Sequence, residues 1–378
     1  MKIAILTLPL ETNYGGNLQA YALYTILTKM GNDVELINYR HKQVSDFRKV
    51  LSTLKQKVMY QRNAFYFFDK EQAIINQNHE EFINSHIKRS SPIYSTEQLV
   101  EYFNINSFES IIVGSDQVWR FEYPPKIENY FLEFLEKNSS IKKIAYAASF
   151  GIDNWNYTNH VTEKVRKLVQ KFNYISVREV SGVQLCKSKL YIEAKHVVDP
   201  TLLLSYEEYL QIIGVNKKTN NEGKILTYIL DDNAFKTQII SKIKKHLNKD
   251  TFIAQPVRKS KKRMFEKNLE SYIYPSIENW IRSFYDASFV ITDSFHGTVF
   301  AIIFNKPFIA IVNKERGASR FESLLGKLML ENRMIGENTI ITHDLFENRI
   351  DYNKVNYLLD EWIAYSYNEL KTALVDKE

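Results

Sequence analysis

The N-terminal part of the chain alternates a short apolar run with an amphipathic segment. Residues 3–10 are almost all apolar, which is typical of a strand buried on both faces. Apolar side chains then recur at every fourth position over residues 18–30, and Gly31 follows as a stop signal. Residues 34–39 return to a strand-like pattern. The pattern predicts a β-α-β unit with two parallel strands.

Short apolar or aromatic runs recur along the rest of the chain, and a polar or glycine-containing turn ends each of them. The runs cover residues 110–113, 143–148, 174–177, 196–198, 225–230, 252–254, 289–292 and 308–312. Helical periodicity separates most of these runs, and the alternation is interrupted once, near residues 204–223. We therefore predict an α/β protein with two Rossmann-like domains, each built on a doubly wound parallel sheet, that face each other across a cleft.

The same pattern predicts the domain boundaries. We expect a first domain over residues 1–212 that contains a helical insertion at about 43–104, and a second domain over residues 213–350. Residues 215–223 are rich in Asn and Lys and lack apolar periodicity, as expected of a linker. The last segment, 351–378, contains an amphipathic helix that we expect to pack back toward the first domain.

Composition narrows the class of protein. The 378 residues are 44% hydrophobic and 25% charged, as in ordinary globular proteins. Cys186 is the only cysteine, which excludes an intramolecular disulfide, argues against a thiolate metal site and fits a reducing compartment. No stretch approaches the ~20 apolar residues of a membrane-spanning helix. We expect a soluble cytoplasmic protein without a metal site.

Positive charge is concentrated in two segments. The formal net charge is only +6, with both signs well mixed, so we expect no nucleic-acid partner. One basic segment interleaves apolar residues with Arg48, Lys49, Lys55, Lys57 and Arg62, and the other runs from Arg258 to Arg263. The first segment is typical of a helix resting on anionic lipid, and the second of a phosphate-binding loop. An ordinary solvated surface is the alternative for both.

Polar candidates follow the predicted strands, whose carboxyl ends meet at one edge of a parallel sheet. After the first strand, Asn13, Gly15, Gly16 and Asn17 open a helix, where glycine lets the backbone approach a ligand and free N–H groups attract an anion or a sugar hydroxyl. A tight turn capped by Asn17 is the alternative.

Two further strand ends carry candidates for proton transfer. Asp116 follows residues 110–113 and is suited to act as a general base or as a helix cap. His296 follows residues 289–292, together with Asp293 and Ser294, and leads into an apolar helix. Among the histidines, His296 is the strongest candidate for a catalytic or ligand-binding role.

Two arginines are candidates for anion recognition. Arg178 ends the strand at residues 174–177, and Arg320 precedes a predicted helix. A guanidinium group suits carboxylate and phosphate geometry, so both side chains could clamp a small dianion. Ion pairs with Glu179 and Glu322 on the surface are the alternative.

Together these segments resemble the polysaccharide pyruvyl transferase family. The motifs that carry the resemblance are Asn13-Tyr14-Gly15-Gly16-Asn17-Leu18-Gln19-Ala20, Gly114-Ser115-Asp116-Gln117-Val118-Trp119, Ala147-Ala148-Ser149-Phe150-Gly151, Ser176-Val177-Arg178-Glu179 and Asp293-Ser294-Phe295-His296-Gly297. They occur in the family's order over about residues 1–330. Family members are similar in architecture to glycosyltransferase B (GT-B) enzymes.

The resemblance implies an activity and roles for individual residues. Members transfer pyruvate from phosphoenolpyruvate to two hydroxyls of a sugar, giving a cyclic ketal and phosphate without a metal or organic cofactor. By resemblance, His296 is the acid or phosphate partner, Arg178 an anion clamp and Asp116 an acceptor-sugar contact. We add Arg320 to these residues because the donor is an anion, which a guanidinium group can bind. Some members carry arginine where this chain has Ser294, so Arg320 or residues 258–263 must supply that charge if the donor is the same.

The implied acceptor is a surface polysaccharide or a lipid-linked oligosaccharide precursor at the cytoplasmic face of a membrane. A glycosyltransferase that uses a nucleotide sugar in the same cleft is one alternative. A catalytically silent scaffold of a polysaccharide assembly complex is another.

Overall fold

The structure is a computed structural model that describes residues 1–42, 44–60, 64–135, 140–214, 219–258, 261–263, 266–312, 317–337, 339 and 344–375. Arg62 and Lys259 of the two basic segments lie outside these described residues, as do residues 215–218 of the expected linker.

The first half of the chain alternates strands and helices around one sheet. It begins with β1 (Lys2–Leu6), α1 (Tyr14–Lys29) and β2 (Asp33–Leu36). The insertion follows as α2 (Asp46–Tyr60), β3 (Ala64–Phe65), α3 (Asp69–His86) and α4 (Thr96–Ile105). The remainder comprises β4 (Ser110–Val113), β5 (Lys142–Ala148), α5 (Asn159–Val169), β6 (Tyr174–Val177), α6 (Val180–Leu185), β7 (Lys195–His196) and α7 (Tyr206–Ile213).

The second half repeats the alternation around another sheet. It contains β8 (Ile225–Tyr228), α8 (Ala234–Leu247), β9 (Thr251–Ile253), β10 (Lys262–Arg263), α9 (Ile277–Asp286), β11 (Phe289–Thr292) and α10 (Phe295–Ile303). It ends with β12 (Phe308–Ile311), α11 (Ser319–Lys327), β13 (Met334–Ile335), α12 (Asp344–Glu347) and α13 (Tyr352–Leu374). Sequence reasoning did not predict β3, β10 and β13, because strands of two residues carry almost no periodic signal.

Each half is built on one parallel sheet. The first sheet has the order β2-β1-β4-β5-β6-β7, and the second has the order β13-β12-β11-β8-β9. The prediction of two Rossmann-like parallel sheets is confirmed. The central strands are mainly apolar because helices cover both faces; Ile3 and Ile5, for example, are fully buried in β1.

The strand orders define where ligands can enter. In the first sheet the chain moves from β1 to β2 on one side and then returns to place β4 on the other side of β1. In the second sheet, β9 and β11 flank β8 in the same way. At such switch points the loops at the carboxyl ends diverge and leave a crevice between them. The loops after β1, β4, β8 and β11 are therefore the expected walls of a site.

Helix α1 begins earlier than the apolar periodicity predicts. The side chain of Asn13 accepts a hydrogen bond from the backbone N–H of Gly16 at 3.1 Å and caps the helix. Asn17 lies inside the first turns of the helix, so the alternative of a turn capped by Asn17 is wrong. Both glycines of the motif are helical residues.

The two halves are tied together at several points. Tyr14 of α1 stacks on Trp280 of α9, with 5.1 Å between ring centroids. Helix α13 contacts the first sheet, where the hydroxyl of Ser366 accepts a hydrogen bond from the backbone N–H of Val198 at 3.0 Å. The short strands β3 and β10 pair antiparallel and join the insertion to the second half. Among the described helices, none is both long and apolar enough to cross a bilayer.

Candidate active site

A cavity of about 400 Å³ lies between the two domains, where loops of both switch points meet. This volume is in the range of small-molecule sites. Predicted site residues that line it are Asn13, Asp116, Asp293, Ser294, His296 and Arg320. The other predicted site residues, Gly15, Gly16, Asn17 and Arg178, are not among its lining residues.

His296 projects from the first turn of α10 toward the first domain. Ser294 caps this helix, since its hydroxyl accepts a hydrogen bond from the backbone N–H of Gly297 at 3.3 Å. The imidazole ring lies so close to the backbone of Gly15 that a methyl group built on Gly15 would overlap it. Glycine is therefore required at position 15 for space, and His296 packs directly against the first turn of α1.

Asp199 is the acidic neighbour of His296. Its Oδ2 atom lies 3.5 Å from Nε2 of His296 and accepts a hydrogen bond from Arg178 at 2.5 Å. The hydroxyls of Ser115 and Thr201 also donate to this carboxylate, at 3.0 Å and 2.6 Å. Burial would raise the pKa of Asp199, but the His296 ring, the Arg178 guanidinium and the Thr201 hydroxyl hold it well below its usual range. The carboxylate is therefore ionised at neutral pH and held from several sides.

Two buried guanidinium groups flank the ring of Phe295. The guanidinium carbon of Arg178 lies 4.7 Å from the ring centroid, and that of Arg320 lies 5.7 Å from it. The Arg178 side chain is 1% exposed and is paired with Asp199, whereas Arg320 lines the cavity. Burial, reinforced by the positive charge of Arg178, lowers the pKa of Arg320 to about 10. An anion in the cavity would offset this unfavourable burial of positive charge.

Asp116 lines the cavity from the loop after β4. Its backbone is left-handed, with φ of 69°, which costs a non-glycine residue roughly 1–2 kcal/mol. Its Oδ1 atom accepts a hydrogen bond from the backbone N–H of Gln117 at 2.9 Å. A Cβ atom on Gly16 would lie 3.2 Å from Oδ2, so the first turn of α1 is close to this carboxylate. Strained residues of this kind are concentrated at functional sites.

The family model described as Polysaccharide pyruvyl transferase matches residues 13–315, a range that contains both switch points and His296. The chain belongs to the polysaccharide pyruvyl transferase family. The resemblance inferred from the motifs is thus confirmed, and the chain is an enzyme of this type. No protein of curated function matches the sequence significantly.

Solved structures with a similar fold include UGT89C1 of Arabidopsis thaliana complexed with UDP. It is 10% identical, with a TM-score of 0.54 and coverage of 98% of each chain. A putative UDP-N-acetylglucosamine 2-epimerase from Listeria monocytogenes is 11% identical, with a TM-score of 0.50 and coverage of 99% of this chain and 95% of that one. At these identities the likeness concerns the fold alone, and it places this family member among GT-B proteins.

Asp293 is paired with Lys236 of its own domain. Its carboxylate accepts hydrogen bonds from the backbone N–H of Leu230 at 2.7 Å and pairs with Nζ of Lys236 at 2.6 Å. Both Asp293 and Lys236 line the cavity. The pair fixes the loop after β8 against the loop after β11, while the acidic partner of His296 comes from Asp199 of the other domain.

Asn17 makes its hydrogen bonds inside the protein. Its amide donates to the backbone carbonyl of Glu11 at 2.7 Å and lies 2.8 Å from Nδ1 of His79 in α3. His79 is 1% exposed, and this burial lowers its pKa to about 4. Asn17 therefore connects α1 to the insertion.

Sequence reasoning missed Asp199 and Lys236. Asp199 follows the apolar run at residues 196–198, and Lys236 lies in the first turn of α8, after the strand that ends at Tyr228. Both obey the same strand-end rule that selected Asp116 and His296, so applying it to every strand would have found them. Within the described ranges, no group of three His, Cys, Asp or Glu residues is placed to bind a metal ion.

Proposed function

We propose that the cavity binds phosphoenolpyruvate and that the enzyme transfers its pyruvyl group to two hydroxyls of a sugar, forming a cyclic ketal and releasing phosphate. The observation that carries this proposal is the pair of buried guanidinium groups around Phe295, beside a histidine that faces an ionised aspartate. This combination suits a small dianionic donor that must also be protonated on carbon.

Arg320 is the proposed anchor of the donor. It lines the cavity beside the positive charge of Arg178, and burial lowers its pKa to about 10. A carboxylate or phosphate group in the cavity would form charge-assisted hydrogen bonds with the guanidinium fork. Arg320 thereby takes the role of the arginine that some family members carry at the position of Ser294. The clamp role predicted for Arg178 stays a prediction. Its buried guanidinium group lies against the ring of Phe295 and is paired with Asp199.

His296 is the proposed general acid. Protonation of the methylene carbon of the donor makes the adjacent carbon electrophilic, so that a sugar hydroxyl can add to it. Loss of phosphate and addition of the second hydroxyl then complete the ketal. Asp199 orients the imidazole and faces any charge that forms on it during proton transfer, as carboxylates do in other histidine-dependent sites.

Asp116 is the proposed base for the acceptor. Its carboxylate lines the cavity and is held by the backbone of its own loop. Each incoming hydroxyl must lose a proton as it attacks, and a fixed carboxylate within hydrogen-bonding reach can accept it. We propose a sugar of a surface polysaccharide or lipid-linked precursor as the acceptor, at the cytoplasmic face of the membrane.

The test is phosphate release from phosphoenolpyruvate in the presence of candidate sugar acceptors, with mass spectrometry of the product. We expect release that depends on an acceptor, together with an acceptor that carries one additional pyruvyl ketal. Release of nucleotide from a nucleotide sugar, without any reaction of phosphoenolpyruvate, would instead identify a glycosyltransferase. A His296→Ala enzyme that leaves polymer chemistry unchanged would favour the scaffold.

A further inference from the structure

Helix α2 in the insertion exposes its apolar side to solvent. Phe47 is 71% exposed, and Val50, Leu51 and Leu54 are 37%, 49% and 51% exposed. These four residues follow the spacing i, i+3, i+4, i+7 and so form one stripe along the helix. Thr53, a polar residue, is instead buried at 3% exposure. The helix is therefore oriented opposite to an ordinary surface helix, which buries its apolar stripe.

Basic residues are concentrated in the sequence of α2 and its neighbours. Over residues 42–62 the sequence has Lys42, Arg48, Lys49, Lys55, Lys57 and Arg62 against a single acidic residue, Asp46. Lys49 is held by Asp46 and Asp69, at 3.3 Å and 2.5 Å. Arg48 and Lys55 are exposed and make no ion pair within the part of the chain that the structure describes.

The second basic segment lies next to the first, although about 200 residues separate them in sequence. Strand β3, which follows α2, pairs with β10, where Lys262 lies opposite Phe65 and Arg263 opposite Ala64. Arg258 and Lys262 are paired with Glu266 and Glu71, whereas Arg263 is exposed. The two basic segments are thus neighbours in the fold, and we call the exposed side of α2 together with Arg263 the α2 face.

We propose that the α2 face docks on an anionic lipid bilayer, with Phe47, Val50, Leu51 and Leu54 entering the interfacial region. An amphipathic helix with exposed apolar side chains and flanking cations binds such a surface in two ways. Its apolar side chains are buried in the interface, and its cations are attracted to the anionic headgroups. A second copy of the chain is a poorer occupant, because two copies of the same basic face repel each other.

The position of the α2 face relative to the cleft gives docking a purpose. A second pocket of about 210 Å³ lies where the insertion meets the second domain and is lined by Phe67, Arg258, Lys261 and Tyr272. It shares Thr12 and Tyr274 with the main cavity. An acceptor attached to a lipid would therefore reach the cavity from the docked side. This consequence rests on the proposed function, whereas docking itself does not.

The experiment is flotation of the full chain, without substrates, with vesicles of phosphatidylethanolamine and phosphatidylglycerol. Phosphatidylcholine vesicles and added salt test the electrostatic part. We expect binding to the anionic vesicles only, weakened by salt. A Phe47→Ser/Leu51→Ser/Leu54→Ser variant should lose about tenfold or more in partition coefficient, and Arg48→Gln/Lys55→Gln roughly fivefold per charge at low salt.

A matched control removes equally exposed apolar side chains elsewhere. Ile105, Met329 and Tyr357 are 73%, 59% and 62% exposed, and their triple change to serine should leave vesicle binding intact. Thermal unfolding should be the same for all variants because the altered side chains are exposed. Absent or salt-insensitive binding, or equal loss in the control, would overturn the proposal. Sedimentation that shows a dimer dissociated by the α2 triple change would assign the face to a second copy instead.

Discussion

The two rims of the cleft occupy equivalent places in two similar sheets, yet they contribute different things. The second-domain rim, formed by the loops after β8 and β11, supplies the projecting ring of His296. The first-domain rim, formed by the loops after β1 and β4, supplies space at Gly15 and a strained carboxylate at Asp116. The candidate histidine and the carboxylates of Asp199 and Asp116 thus come from opposite domains.

The difference follows from how each rim is held. In the second rim, Asp293 is committed to backbone N–H groups and to Lys236, and Ser294 to the cap of α10. In the first domain, buried Glu179 after β6 accepts hydrogen bonds from the Ser149 hydroxyl and from the backbone N–H groups of Phe150 and Gly151 in the loop after β5. Most polar residues at strand ends therefore hold loops, and few remain to act on a ligand.

The largest expected effect is the loss of kcat when His296 is replaced. Replacing His296 with Asn should lower kcat for pyruvyl transfer by about 10³-fold, because proton transfer by a positioned side chain contributes on that order. His160→Asn, an exposed position at the start of α5, is the control and should be neutral. Residual activity within tenfold of the parent enzyme would remove His296 from the chemistry.

The next largest effect is expected at Gly15, where the absence of a side chain leaves space for the His296 ring. Gly15→Ala should lower activity by about 10²-fold, since a methyl group there must displace the imidazole. Gly326→Ala is the control, because a Cβ there meets only one atom, at 3.7 Å. The same Gly15→Ala change made in His296→Ala should destabilise the fold far less than in the parent. Equal destabilisation in both backgrounds, measured by chemical unfolding, would contradict the proposed contact.

A smaller effect is expected at the anion-binding wall. Phosphoenolpyruvate should raise the Tm, and Arg320→Gln should weaken its binding roughly thirtyfold, as expected when a charge-assisted contact of about 2 kcal/mol is lost. Arg320→Lys should retain part of the binding. An Arg320→Gln protein with an undiminished Tm shift would refute the anchor.

Arg178→Ala tests the clamp predicted from the sequence. Removing the Arg178 guanidinium leaves Asp199 buried without its cationic partner, so we expect about 3–5 kcal/mol lower stability even without ligand.

The smallest effect is expected at His79, a buried histidine outside the cavity lining. Burial lowers the pKa of His79 to about 4 in the folded protein, whereas the unfolded value is about 6.5. The unfolded state therefore binds the proton first as the pH falls, and stability is lost between pH 7 and pH 4. His79 should account for about 2 kcal/mol of the loss between pH 7 and pH 5. Unfolding of His79→Gln should show a correspondingly shallower slope, and parallel curves for the two proteins would contradict this assignment.

Much of the fold could be predicted because it depends on local patterns. The runs at residues 110–113, 174–177 and 289–292 coincide with β4, β6 and β11, since strands buried on both faces consist mainly of apolar residues. Helix boundaries were less accurate where a capping side chain decides them, as at Asn13. The inverted orientation of α2 could not be predicted, because an amphipathic pattern does not say which side a helix buries.

The amino-acid pattern was enough to predict the fold class, the family and the strand ends where candidate site residues occur. Those features depend on periodicity, turn chemistry and motif order, which are properties of neighbouring residues. Only the tertiary structure decided that Asp199 rather than Asp293 faces His296, that Gly15 makes room for the ring, and that two distant basic segments are neighbours in the fold. The reason is that these contacts join residues more than 90 positions apart, where the pattern along the chain carries no information on distance.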